Sequence, residues 1–398
     1  IQPYIANSPY DTILANSNNR TQKFSGYSQF DFTQKFLFQS SEQVQQIVNL
    51  QWSSSSEVPR YDRLQDIKNS ELRYASWYYG PQDRKLVSYQ LNIKSKYGPF
   101  DEYKTTASYQ DIEESRITRE YKRYDRFDTR MERVKVAGII LDAIKKYKQD
   151  EITTGVDIQL NNLLSTATRK NLLTNEVSKL DSRYPDGKNN MNYAAVFAQH
   201  IHKFKSRKLI LNDGIRLQHV LLTSNISDNS FFSLPVMSVR QSNTTLTGNL
   251  GLNTTIKIGY ARGFRAPNVD DLAKIFESST AAKQVVVPNT NIEPEYSDNM
   301  DASIIYQLSP TISLEGTVFY TYFSNAIVKL PFQLNGQDSI VYNGVKSQVM
   351  ANQNVNKASI VGASFLINIQ LNRYWKLNGS FNTIKGNFQL PSNTVATS

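Results

Sequence analysis

Apolar and polar residues alternate along much of this chain, the period of a β-strand with one greasy and one wet face. Over 361–371 one parity holds Val361, Ala363, Phe365, Ile367, Ile369 and Leu371, and the other holds Gly362, Ser364, Asn368 and Gln370. The next strip sets Trp375, Leu377, Gly379 and Phe381 against Lys376, Asn378, Ser380 and Asn382. Similar strips run through 87–93, 152–160 and 312–323. No stretch carries a convincing helical period, so the pattern predicts an all-β chain of about a dozen strands. Residues 24–38 read as a hairpin, the clearest feature of an otherwise less regular first sixty residues.

Tight-turn signals sit near Pro99, Tyr147, Ser206, Thr254, Pro310 and Arg373, about 48 to 63 residues apart. Two strands of roughly 9–11 residues, enough to cross a bilayer, fill less than half of such an interval. The remainder predicts long loops at 53–82, 114–130, 161–190, 221–240, 266–296 and 324–357, rich in Asn, Asp, Ser, Pro and Gly. Short turns at one rim and long loops at the other describe a membrane barrel, whereas a soluble sandwich turns every ~8–12 residues. Aromatic clusters near strand ends (Trp77-Tyr78-Tyr79, Tyr320 with Tyr322 and Phe323, Tyr374-Trp375) suit a girdle at the headgroup level.

Composition changes this picture little. With 39% hydrophobic residues and a mean hydropathy of −0.47, the chain averages as polar, but barrel strands do so by alternating. No apolar run approaches the ~20 residues of a transmembrane helix. The absence of cysteine among 398 residues excludes disulfides, thiolate metal sites and a cysteine nucleophile. The net charge of +10, from 45 basic and 35 acidic residues, is interleaved rather than clustered. The run from Glu113 to Arg133 therefore reads as solvated strand ends or loop, not as a nucleic-acid surface. Asp213 breaks the pattern by sharing its parity with apolar neighbours. It requires either an interfacial position or a bulge at Gly214.

The most specific signal lies at 256–295. An alternating strand enters Gly263-Phe264-Arg265-Ala266-Pro267-Asn268, a long loop follows, and the chain resumes at Asn291-Ile292-Glu293-Pro294-Glu295 before another strand. Gly263 allows a bend or a close backbone approach, and Pro267 removes a ladder donor. The arrangement resembles the GFRAP…N-x-x-L-x-PE signature of TonB-dependent outer-membrane receptors, with Ile292 standing where that pattern usually has Leu. The resemblance spans most of the chain and is densest from Tyr260 to Asn354.

The resemblance implies an antiparallel transmembrane β-barrel of the 22-stranded, plugged type, with residues 1–398 forming a partial barrel domain that lacks the plug. The chain opens at Ile1 without a signal core and ends on Thr394–Ser398 rather than an aromatic-terminated strand, so an internal piece with about half of the strands is expected. It also implies location in the outer membrane and capture of a scarce nutrient (siderophore, cobalamin, haem or glycan) at extracellular loops. Import would draw on an inner-membrane TonB-type protein acting through the plug, and basic residues would meet lipopolysaccharide. A passive outer-membrane pore and a soluble β-rich glycan-binding protein are the alternatives.

Candidate chemistry is sparse: no phosphate loop, no nucleophile elbow, and no catalytic residue, enzyme activity, cofactor, metal or nucleic-acid partner is expected. Strand parity offers Asp142, Asp157, Gln159, Arg216 and Glu315 as lumen groups. His200 and His202 share a strand face at i, i+2. They read as a lumen-side or turn-proximal polar pair, because no carboxylate or third histidine stands at a helpful spacing. In Glu57–Leu64, Asp62 beside Arg60 reads as a structural ion pair in a long loop that orders the loop or touches ligand. Which residues bind the nutrient is not legible.

Overall fold

The computed structural model describes residues 4–6, 10–18, 20–68, 70–205, 209–225, 238–253, 256–272, 276–279, 283–342 and 345–388. Fourteen long strands form its wall. They are β1 (Gln29–Gln39), β2 (Val44–Ser55), β3 (Asp83–Lys94), β4 (Glu102–Glu120), β5 (Phe127–Lys146), β6 (Asp150–Lys170) and β7 (Asn189–Lys203). The wall continues with β8 (Ile210–Asn225), β9 (Ser238–Asn253), β10 (Ile256–Arg265), β11 (Glu295–Ser309), β12 (Ile312–Pro331), β13 (Val345–Gln370) and β14 (Lys376–Phe388). Each pairs antiparallel with the next in chain order.

The expected hairpin at 24–38 is instead a single strand, β1, whose partner β2 lies across the turn 40–43. The strands also run further than expected: much of 114–130 and 161–170 is ladder, not loop. Cross-strand charge explains the extension. Arg169 opposes Asp128 at 2.6 Å and Arg133 reaches Asp111 at 2.7 Å, so the mixed-charge run zips the strands together above the apolar zone. The turns expected at Ser206 and Thr254, the segment 226–237 and Thr394–Ser398 lie outside the described residues.

The register defines two faces. One row passes from Leu50 through Val87, Tyr109, Ala137 and Leu160. Another passes from Ile258 through Ala302, Val318, Ala363 and Thr383. This face exposes its apolar side chains: Val318 is 57% accessible, Met300 57% and Ile215 53%. The opposite face carries Asp142, Asp157, Gln159, Arg216 and Glu315 by the same registers, as expected for lumen groups. Arg216 donates to Asp157 at 2.7 Å and to Gln218 at 2.9 Å.

Two luminal glycines make room for rings. A Cβ added at Gly155 would fall inside Phe197, and one at Gly362 inside Phe319. Each ring covers the ladder where a neighbour has no side chain, filling a gap that glycine alone would leave.

The buried residues lie elsewhere. Among the described residues, all four apolar clusters sit at the long-loop end, around Leu272 and Ile292, Val285 and Val349, Ile5 and Leu72, and Leu330 and Val355. A soluble sandwich buries its strand faces and exposes its loops. Here the wall is greasy outside and wet inside, and the loops hold the core, which is the inverse.

The strand order is that of a barrel. Even so, no residue register joins β14 to β1 among the described residues, and both strands are exposed at almost every described position.

Candidate functional site: the motif loop inside the long-loop rim

The loop between β10 and β11 folds inward over the lumen, and the motif residues are its fasteners. β10 keeps its ladder through Gly263↔Ser297 to Arg265↔Glu295. Gly263 is therefore a place of close approach, not a bend: a Cβ there would stand 3.2 Å from Ser297 Oγ. The fully buried Pro267 follows, and the ladder stops.

A short helix, α1 (Val269–Leu272), comes next. Asn268 caps it: its Oδ1 accepts the Asp271 N–H at 3.0 Å, while Asp271 Oδ2 accepts the Asn268 N–H at 3.1 Å. This reciprocal pair satisfies helix-end donors that would otherwise be orphaned. Asp271 Oδ2 also accepts Arg265 Nη1 at 2.6 Å, and Arg265 Nε stands 3.5 Å from Glu295 Oε1. The two halves of the motif thus meet on one guanidinium.

The second half is pinned to the wall. Glu295 accepts the Ile327 N–H at 2.8 Å, just beyond the end of the β11–β12 ladder. Asn354 accepts the Glu293 N–H at 2.7 Å and donates to the Glu293 carbonyl at 3.0 Å and the Asn325 carbonyl at 2.7 Å. Asn325 sits at φ 56°, in the left-handed region that asparagine tolerates better than most residues. Ile292 is 1% exposed and packs with Leu222, Val269 and Leu272, against Leu163, Met191, Tyr184 and Ile327. The branched side chain at this motif position is core.

Neighbouring loops lock onto this body. Tyr184 donates to Asp270 Oδ1 at 2.7 Å; burial first, and then that carboxylate, push its phenol well above the usual range. Tyr342 donates to Asp181 Oδ2 at 2.8 Å, and Arg130 Nε donates to the Asp181 carbonyl at 3.1 Å. The return strand Gln284–Val286 adds to β13 in parallel and packs Val285 and Val287 on Val349 and Ala351. On the luminal side, Glu132 is 4% exposed and neither oxygen makes a hydrogen bond of good geometry. Arg116 lies 3.9 Å away. Glu132 stands beyond the apolar belt, and burial raises its carboxyl.

Arg60 and Asp62 form the structural pair expected of them, doubly bonded at 2.9 and 2.8 Å. Arg60 also donates to Tyr79 at 2.6 Å and lies over the Trp77 and Tyr79 rings. Trp77-Tyr78-Tyr79 is therefore not part of a girdle; it belongs to a loop strand paired with the far end of β4. Tyr320, between Met300 and Val361, does face outward.

The histidine pair is not luminal. His200 and His202 share the outward parity of Val196 on β7, close to the end of that strand. A carboxylate does reach them, from the neighbouring strand: Asp150 on β6 opposes His202. Asp213 opposes His200 with an unbroken register through Gly214, so an edge-of-belt position, not a bulge, accounts for it. Sequence spacing missed this grouping because the partners are 50 and 13 residues away. It missed Asp271 too, although the Asn-x-x-Asp spacing after a proline is a legible cap signal.

With this geometry in place, the comparisons are decisive on family. The family model described as TonB dependent receptor-like, beta-barrel matches residues 6–397. The chain belongs to this family. The family is one of transport receptors, not of enzymes. Among solved structures it is similar to a copper transporter, OprC, at TM-score 0.70 and 13% identity, covering 91% of this chain and 54% of that one. It is similar to the hemophore receptor HasR of Serratia marcescens, solved with its hemophore HasA and heme, at TM-score 0.63 and 11% identity, covering 86% and 52%. It is also similar to the siderophore receptor PirA of Acinetobacter baumannii, at TM-score 0.62 and 13% identity, covering 90% and 52%. At these identities the likeness concerns the fold. The chain spans about half the length of those structures. No curated protein matches it by sequence.

Proposed function

We propose that this TonB-dependent receptor barrel captures a scarce, bulky nutrient at its long-loop rim and admits it through the outer membrane with energy from a TonB-type inner-membrane protein. The observation that carries the reading is the division of labour in the fold. An outward apolar belt suits lipid, a polar inner face suits a wet lumen, and interlocked loops over one rim offer a fixed binding surface. In this reading the wall belongs to a 22-stranded barrel. The plug that transmits the pull lies outside residues 1–398. The motif residues Gly263–Asn268 and Pro294–Glu295 fasten the rim, and ligand contacts fall on the loops above them. The ligand classes proposed are siderophores, the ligand class named for the similar receptor PirA, with cobalamin and glycans beside them. Basic loop residues face the lipopolysaccharide phosphates.

The test uses the full-length receptor. It is expected in the outer-membrane fraction with a mobility that shifts on boiling. A deletion strain fed candidate nutrients one at a time should lose uptake of one of them, and loss of the TonB-type partner should abolish the same uptake. Recovery from the cytosol would overturn the membrane reading. Uptake indifferent to the TonB-type partner would leave a passive pore in its place.

A further inference from the structure

Far from the motif loop, one cluster has the makeup of a metal centre. Alternation on β7 sends both His200 and His202 to the outward face, at the short-turn edge of the apolar belt. The neighbouring strands bring Asp150 opposite His202 and Asp213 opposite His200. Asp150 Oδ1 lies 2.6 Å from His202 Nδ1 and 3.0 Å from His200 Nε2. The donor atoms of Asp150, His200 and His202 all fall within 4.8 Å of one another. The Phe204 ring meets His202 edge-on, at 4.5 Å between centroids, and holds that imidazole in place.

We propose that Asp150, His200 and His202 bind one divalent transition-metal ion, and that Asp213 positions His200 for it. Two imidazole nitrogens and one carboxylate oxygen are the donors of zinc and similar borderline ions, and they suit magnesium or calcium poorly. An ion at about 2.0–2.1 Å from each donor would set them about 3.3 Å apart in a tetrahedron, so the two Asp150–imidazole spacings need open only by tenths of an ångström. His200 carries the discriminating detail. Its Nε2 faces the site while its Nδ1 lies 3.1 Å from Asp213 Oδ1. A carboxylate on Nδ1–H fixes the tautomer that leaves the Nε2 lone pair free, the usual arrangement around a ligating histidine. A purely structural polar pair would not require that second carboxylate. The three ligand side chains remain 26–34% exposed, which leaves a fourth position open to water. Bound there, the ion would link β6 to β7, with Asp213 bringing in β8, and would neutralise carboxylates beside an apolar belt, where bare charge is costly.

The full-length receptor, purified in detergent and stripped with EDTA, is titrated with Zn²⁺ alone by calorimetry. One equivalent is expected to bind with micromolar affinity, and zinc-edge X-ray absorption should show two imidazole nitrogens. His200→Ala and His202→Ala should weaken binding at least about tenfold, and Asp213→Asn about 10- to 100-fold with the stoichiometry unchanged. His219→Ala, outward-facing on β8, should leave it intact. The proposal is overturned if the stripped wild-type receptor takes up no ion at micromolar concentration or if its spectrum lacks the two imidazoles. It is equally overturned if His200→Ala and His202→Ala, folded by the heat-shift criterion, bind as the wild type does.

Discussion

Replacing Val318 with arginine tests the assignment of faces directly. Val318 stands in the middle of the outward belt of β12, flanked in register by Ala302 and Ala363, with Gly316 and Tyr320 above and below on the same face. It is 57% accessible, so nothing in the protein shields a charge placed there. If lipid covers this face, an arginine costs about 2–4 kcal/mol near the bilayer midplane. That is roughly a 30-fold to nearly thousandfold loss in the folding equilibrium. Thr317, one residue back, points to the lumen between Ser303 and Ser364, and arginine there should cost well under 1 kcal/mol. Equilibrium unfolding by guanidinium in lipid vesicles, followed by the heat-modifiable gel band, measures both variants of the full-length receptor. Equal costs at the two positions, or a larger one at Thr317, would refute the alternation of oil and water on which the whole reading rests.

Three further outcomes follow from the loop rim. Leu272→Ala removes a fully buried side chain from the loop core and should cost about 2–5 kcal/mol of docking energy, seen as new protease cleavage within 266–294 while the wall stays folded. Glu132→Gln should stabilise the receptor by roughly 1–3 kcal/mol at neutral pH, since the buried carboxylate lacks good partners. Burial raises its folded pKa, so the cost of its charge is present above that value and vanishes below the unfolded one; the gain from glutamine should fade in acid. For Glu120, burial would raise the carboxyl, but Lys68 and Arg73, each at 3.0 Å, outweigh it and hold the pKa down. Its contribution is therefore present above the unfolded value and lost as pH falls through the lowered one. Limited proteolysis of 56–82 should become faster between about pH 4 and lower values, and a flat profile would contradict this.

Much of the wall was legible because strand parity is a local property. Val361–Leu371 and its partner strip declare their faces within a few residues, and the lumen assignments of Asp157, Arg216 and Glu315 follow from parity alone. The motif residues were legible as a group, but not their task. Arg265 reads as a conspicuous charge in sequence, whereas its role depends on Asp271 and Glu295 arriving at one guanidinium. The strand extensions past 114 and 161 were missed because polar, charged residues read as loop unless their cross-strand partners are known. Trp77 and Tyr79 were misplaced for the same reason: an aromatic pair suits a membrane interface or an arginine equally well until Arg60 is found over both rings.

The sequence by itself determined which side of each strand meets lipid and which meets water, because successive side chains must point to opposite faces of a pleated strand. It also determined the alternation of short and long connections. Only the tertiary structure decided what the loops do, since their contacts join residues as far apart as Asp181 and Tyr342. The same holds at the turn rim, where Asp150, His200, His202 and Asp213 converge because two ladders bring three strands into one register. Pairing between strands sets that register, and a single strand carries no record of what stands opposite it.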